Sequence, residues 1–345
     1  MLFNQLRSSF KNDLHLTSVI WRSAAKCAAP ASFAIAIAGC VALYNPVIQA
    51  QTSFLVSLRP AMAEPGANNP ELMTNRNNTA DSAGSASFYD VLRKALKKRK
   101  TNVETICPLS DSVARRVLED YGAMFLANKK VKTPPVCIFT SEAEVSHFQE
   151  QADYVTENID GADVELQTEA MKALLKAREE AQKEDLDITP RDGAEAARRS
   201  YQDSLELWNS RFLPALDYWL GQGRITEAEV ARLKTLPLHE QISAVLELER
   251  AGIYFSKDLS KSILYSIAAP GTSQHIAMLA FDVNEFENPR VREIMAKHGW
   301  FQTVLSDLPH FTFLGLKEKD LPKNGLKSVE ADGQIFWIPN VVDQP

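Results

Sequence analysis

The chain has 345 residues, of which 45% are hydrophobic and 24% charged, and a formal net charge of −6. Those proportions describe an ordinary globular protein with one sizeable core or two modest ones, and they exclude a disordered or fibrous chain. Residues 1–50 hold Arg7, Lys11, Arg22 and Lys26 against Asp13 alone, so the other 34 basic and 43 acidic side chains give the rest of the chain −9; an acidic body without a basic stripe argues against nucleic-acid binding.

At the N-terminus, Arg22 and Lys26 precede the apolar stretch CAAPASFAIAIAGCVALY, and NPVIQAQ follows with a small residue, Ala50, suited to cleavage. This is the pattern of an export signal. A permanent membrane anchor is the alternative, although Pro30 and Pro46 interrupt the run of about 20 apolar residues that a span needs. Lipidation is a third reading, because Ile37-Ala38-Gly39-Cys40 resembles the lipobox of bacterial lipoproteins. Residues 1–50 are thus expected to be an export signal or a membrane or lipid anchor, placing the protein in the periplasm or cell envelope. Residues 51–87 are expected to be a flexible linker, since 63–87 is polar and rich in Asn, Ala, Gly and Ser.

Order is expected to start near Phe88. Leu92 and Leu96 against the basic KALKKRK face predict a helix over 88–99. Val113, Val117, Leu118, Tyr121, Met124 and Phe125 predict another within 110–128. The run Lys97–Lys100 reads as a solvated helix end, or as a contact for anionic polymers or lipid. VCIFT at 136–140 is a strand candidate, and 141–184 is rich in helix formers throughout. LDIT at 186–189 predicts a strand that breaks at Pro190, and a helix is expected from Asp192 to Gly221 or Gly223. Two short helices are predicted within 226–252. MLAFDV (278–283), HFTFLGL (310–316) and GQIFWIP (333–339) predict strands, with a helix at 288–298 joining the first two. The sum is an α+β fold: a mostly helical region over 88–180, then residues 181–345 with a small antiparallel sheet.

Cys27 and Cys40 lie in the export segment, which leaves Cys107 and Cys137 in the body. In an oxidising compartment an isolated pair is most simply a disulfide. Closing a loop of that length stabilises the fold by about 3–4 kcal/mol on the chain-entropy view.

The residues that carry chemistry stand near the end. GTSQHIAMLAFD (271–282) contains His275 and Asp282, and SDLPHF (306–311) contains Asp307 and His310. Two imidazoles and a carboxylate suit zinc and leave a fourth position open for water. An extended 278–283 puts Asp282 on a strand with His275 in the preceding turn, and an adjacent strand beginning at His310 would lie alongside it. Asp307, in the turn before that strand, is in place to reach a metal-bound water. The same spacing also fits two hydrogen-bonded core histidines and a turn aspartate. His298 and Trp300 read as a helix end and a core aromatic, and His15, His147 and His239 have no partner motif.

PGTSQHIAMLAFD resembles the SxHxxGxAxD motif of the zinc D-alanyl-D-alanine carboxypeptidases of the VanY/VanX type, a group that includes phage L-alanyl-D-glutamate endopeptidases. Ser273, His275, Ala280 and Asp282 match, and Met278 stands where the family has glycine. The family's second motif, Glu-x-x-His followed by an aromatic, is reproduced by DLPHF with Asp307 in the Glu position. The resemblance covers roughly residues 180–316. It implies a Zn2+ ion held by His275, Asp282 and His310, with Asp307 as the general base. The family also carries an arginine between a strand and a helix, which holds a substrate carbonyl or carboxylate. In LDITPRDGAEAARRSY that place falls to Arg191, with Arg198 and Arg199 further along. Ser273 is expected either to bond substrate or to cap the turn that orients His275. The implied activity is hydrolysis of peptidoglycan stem peptides, and the alternative is a zinc-containing module that grips wall peptide without cutting it.

Overall fold

The computed structural model describes residues 85–305 and 307–341. The export segment, with Cys40 and Ala50, and most of the expected linker lie outside the described residues. Residues 85–87 belong to the folded body: Ala86 N–H donates to Pro322 O (2.9 Å) and Asn340 Nδ2 to Ala86 O (3.0 Å). Among the described residues no helix is long and apolar enough to cross a membrane.

The described part opens with helices α1 (Phe88–Lys98), α2 (Val103–Ile106) and α3 (Ser112–Tyr121), the last extended by a 3-10 turn, Gly122–Leu126. Asp111 starts α3 by accepting the N–H groups of Val113 and Ala114, two donors that have no partner inside the helix. Helix α4 (Glu142–Gln151) follows, then strands β1 (Tyr154–Ile159) and β2 (Ala162–Gln167), helix α5 (Thr168–Gln182), and helices α6 (Tyr201–Gly221), α7 (Glu227–Thr235) and α8 (Leu238–Arg250). The C-terminal part holds β3 (Ala280–Asp282), α9 (Pro289–Lys297), β4 (Trp300–Phe301), β5 (His310–Phe313), β6 (Leu326–Ala331) and β7 (Gln334–Pro339). The architecture is α+β, with three small antiparallel sheets among the described residues: β1–β2, β3–β5–β4 and β6–β7.

Four local expectations are corrected. Residues 141–184 are not continuously helical but contain the β1–β2 hairpin, so 88–180 is a mixed region. Its turn is Asp160-Gly161, both at positive φ (51° and 82°), the two-residue turn whose twist matches paired strands. The β6–β7 hairpin repeats the device with Asp332-Gly333 (51° and 72°). VCIFT forms no strand: Cys137 N–H donates to Ile106 O and Phe139 N–H to Gly271 O, so the segment is pinned by single bonds. LDIT forms none either: the chain there meets the β3 segment through the isolated bridge Pro190↔Val283 and the bonds from Asn284 N–H to Thr189 O and from Arg191 N–H to Asp282 O. The helix expected from Asp192 starts at Tyr201, where Ser200 and Asp203 form a reciprocal capping box.

Two cores form. The first joins Phe88, Leu92 and Leu96 of α1 with Leu166 of β2, Leu174 of α5, Phe281, Phe311 and Phe313 of the three-stranded sheet, and Ile294 of α9. It passes straight through the boundary expected at 180/181, so the N-terminal helices and the site-bearing sheet pack as one body. The second core is helical, with Trp208, Phe212 and Leu216 of α6, Leu233 of α7, Val245 of α8, and Phe255. Helix α3 serves both, giving Ala114 and Leu118 to the first and Val113, Val117 and Tyr121 to the second. A helix with apolar residues on two faces must be covered on both. Cys107 and Cys137 are joined, with Cα atoms 5.3 Å apart.

Candidate metal centre

Register places the carboxylate beside one imidazole. In the β3–β5 pairing Asp282 lies directly opposite His310, and cross-strand partners share a face of the sheet. His275 arrives from the turn-rich loop before β3, where Met278 N–H donates to His275 O (3.0 Å) and Ser273 Oγ accepts His275 N–H (3.3 Å). That bond fits the turn-capping role of Ser273. All three ligand residues are buried.

The atoms that meet are His275 Nε2, His310 Nδ1 and Asp282 Oδ1. The two nitrogens lie 3.1 Å apart, His310 Nδ1 is 3.1 Å from the carboxylate oxygen, and His275 Nε2 is 3.3 Å from it. Ligands at zinc–nitrogen and zinc–oxygen distances in a tetrahedron stand about 3.3–3.4 Å apart, so the triangle has the right size. The outer ring nitrogens are engaged elsewhere: His275 Nδ1 with Ala197 O (2.9 Å) and His310 Nε2 with Gln274 Oε1 (2.9 Å). Metal-binding imidazoles are usually held in this way, by donation from the far nitrogen. In the neutral form that metal binding requires, rings so held turn two bare nitrogens and a carboxylate oxygen on one point, an arrangement of acceptors that a cation satisfies. The donor set therefore fits a divalent metal.

Electrostatics agree with the geometry. Burial, reinforced by the nearby Arg199 charge, lowers the His275 pKa to about 4, so the ring is neutral at pH 7. Burial works against the Asp282 charge, but His275 and His310 outweigh it and hold the carboxyl well below its ordinary value. Its second oxygen, Oδ2, accepts from Arg199 Nη2 at 2.7 Å. Asp307 goes the other way: burial, with the Asp282 charge adding to it, pushes its carboxyl up to about 6 against the pull of His310, Arg199 and Arg191. Asp307 is half-buried, in the turn where His310 N–H donates to Asp307 O (3.2 Å).

The arginines divide differently from the sequence reading. Arg191 fixes the site through its backbone, its N–H donating to Asp282 O (2.9 Å), while its exposed side chain lies over the Phe286 ring (5.4 Å). Arg198 turns to the β1–β2 hairpin, pairing with Glu165 (2.7 Å) and stacking on Tyr154. Arg199 pairs with the ligand carboxylate. Together with Ala197 O, it makes the 197–199 loop a support that holds His275 and Asp282 from behind, one that spacing did not suggest. The signal was present: Ser200 followed by Asp203 marks a helix start, which puts Arg198 and Arg199 in the loop before it.

Met278 also receives an account. It has φ +53° and is fully buried, so the position where the related motif carries glycine does require the left-handed region. Its side chain packs into the interior. The remaining described histidines pair away from the site: His147 with Gln151, His239 with Asp111 and His298 with Glu180. Compared with known proteins, the chain matches no family model and no curated protein.

Proposed function

We propose that the protein is an exported zinc metallopeptidase that hydrolyses peptidoglycan stem peptides containing D-amino acids. The observation that carries the reading is the convergence of His275 Nε2, His310 Nδ1 and Asp282 Oδ1 within 3.3 Å, with Asp307 in the turn that leads to His310. The ordered pair of motifs, which resembles the VanY/VanX type, supplies the substrate class.

A zinc ion held there supplies a Lewis acid for the scissile carbonyl and brings the pKa of a water to about 7. Asp307, with its carboxyl near 6, is ionised at neutral pH yet basic enough to accept the proton of the attacking water and pass it to the leaving amine. Asp282 stays anionic, and Arg199 holds its second oxygen so that the first faces inward. Burial keeps His275 neutral at pH 7, and Ala197 O and Gln274 orient the His275 and His310 rings. The exposed Arg191 guanidinium is the group available to a substrate carbonyl or carboxylate.

Gently purified protein should contain about one zinc per chain, and incubation with isolated sacculi should release D-alanine or shorten the stems. His310→Ala should lose both metal and activity. Wild-type protein without metal, or Asp307→Ala with full activity on wall fragments, would sink the proposal. Zinc without any product would instead identify a wall-binding module.

A further inference from the structure

We infer that Gln274 is a positioning residue which locks His310 as its Nε2–H tautomer and thereby commits the Nδ1 lone pair to the metal. The inference rests on reading the site as a metal centre, but not on the reaction performed there.

Gln274 is fully buried between the ligand loop and the end of α3. Its amide has a donating end and an accepting end, and its surroundings decide which is which. The Nε2 end lies 2.8 Å from Tyr121 O, a main-chain carbonyl that can only accept, so the NH2 group must face it. A longer contact from the same nitrogen reaches Thr303 Oγ1 (3.4 Å). The other end, Oε1, therefore faces His310 Nε2 at 2.9 Å and also accepts the Thr312 hydroxyl. An amide oxygen has no hydrogen to give, so His310 Nε2 carries the proton. In the neutral ring that metal binding requires, that proton is the single one, and Nδ1 is left bare, 3.1 Å from Asp282 Oδ1.

What Gln274 prevents is as important. A bare Nε2 with the proton on Nδ1 would let His310 donate to the Asp282 carboxylate at that same 3.1 Å. A hydrogen bond to an ionised acceptor is strong, and this one would close the site on itself and remove one metal ligand. Gln274 competes by offering the far nitrogen an acceptor that cannot flip away. Thr303 and Thr312 (Oγ1 to Oγ1, 2.7 Å) extend the network without touching His310. Order thus passes from a helix-end carbonyl, through one amide, to the protonation pattern of a ligand ring.

The test uses metal-free protein with 15N-labelled histidine, together with zinc affinity measured against a chromophoric chelator. In the wild type, imidazole nitrogen NMR should show His310 protonated at Nε2 and bare at Nδ1. Gln274→Met should move the proton to Nδ1 and weaken zinc binding by about 10–100-fold, as loss of a hydrogen-bond partner behind a metal ligand does. Thr303→Val, which trims the same network, should leave tautomer and affinity unchanged. A wild-type His310 protonated at Nδ1 would overturn the inference, and so would a Gln274→Met variant that keeps both tautomer and affinity. If Gln274→Met does not fold, the wild-type tautomer alone decides. A wild type that binds no zinc would end the peptidase proposal, while the tautomer would still judge this one.

Discussion

In the helical core, buried polar groups close on one another. Trp208 Nε1 donates to Gln241 Oε1 (2.9 Å), and the carboxyl of Glu249, its pKa raised by burial, accepts the Ile263 N–H (2.6 Å). Around them Trp208, Phe212 and Phe255 stack in series. Beside the sheet, polar groups converge without closing: two ring nitrogens and a carboxylate oxygen face one another, and their far sides are tied to Ala197 O, Gln274 and Arg199. Both regions bury polar atoms. Complementary partners make the first a structural device, whereas two ring nitrogens and a carboxylate oxygen turned on one point make the second a group that could hold a cation.

The sharpest way to break this contrast is at Asp307. Asp307→Asn should keep zinc and lower kcat/KM by about 10²–10⁴-fold, the usual weight of a general base. It should also change stability with a definite sign. The folded protein holds a proton on Asp307 up to about pH 6, whereas the unfolded chain releases it near 4. Between those values the native state binds more protons, so this group makes the metal-free protein less stable as pH rises. His275 acts oppositely, since its folded pKa of about 4 lies below the ordinary value and costs stability as pH falls. Comparing wild type with Asp307→Asn isolates the first effect: the variant's gain should appear at pH 7 and vanish near pH 4, and equal melting shifts at both would refute it.

A second prediction attacks the other region. Phe255→Ala should cost about 3–5 kcal/mol in denaturant unfolding, while the zinc affinity of the folded fraction stays near wild type. Loss of metal without loss of stability would show that the two regions are not separable as described. The smallest effect concerns Met278. Glycine is ordinarily less stable than alanine inside ordered structure, by about 0.5–1 kcal/mol. At φ +53° the order should reverse, with Met278→Gly more stable than Met278→Ala by about 1 kcal/mol, as read by the same unfolding curves.

What was legible in the chain follows the same division. The motif residues needed only two short strands in register, and the aromatic and β-branched content of MLAFDV and HFTFLGL marks them. The helices of the second core announce themselves by apolar periodicity, as at 226–252. The β1–β2 hairpin was hidden because its residues, such as Glu157, Glu165 and Gln167, are common helix formers; only Asp160-Gly161 betrays the turn. β6 was hidden in the same way, although Asp332-Gly333 repeats the signal. The groups that hold the two imidazoles from behind were least legible, because Ala197 contributes a backbone carbonyl and Gln274 is an unmarked position of its motif. Neither role has a residue type of its own, and only folding brings the partner near.

The disulfide gives the ligand loop a dependence that lies outside the centre. Cys137 is two residues from Phe139, whose N–H donates to Gly271 O at the head of the loop. Contact there is so close that a Cβ on Gly271 would fall 2.0 Å from Phe139 O. The loop that delivers His275 is therefore moulded against a segment anchored by a sulfur–sulfur bond. If the centre holds the proposed metal, a thiol reductant that never meets the ion would still gain a hold on it, by freeing that segment to move. Preparations made under reducing and oxidising conditions should then differ in how long they keep their metal through dialysis, even with identical ligands.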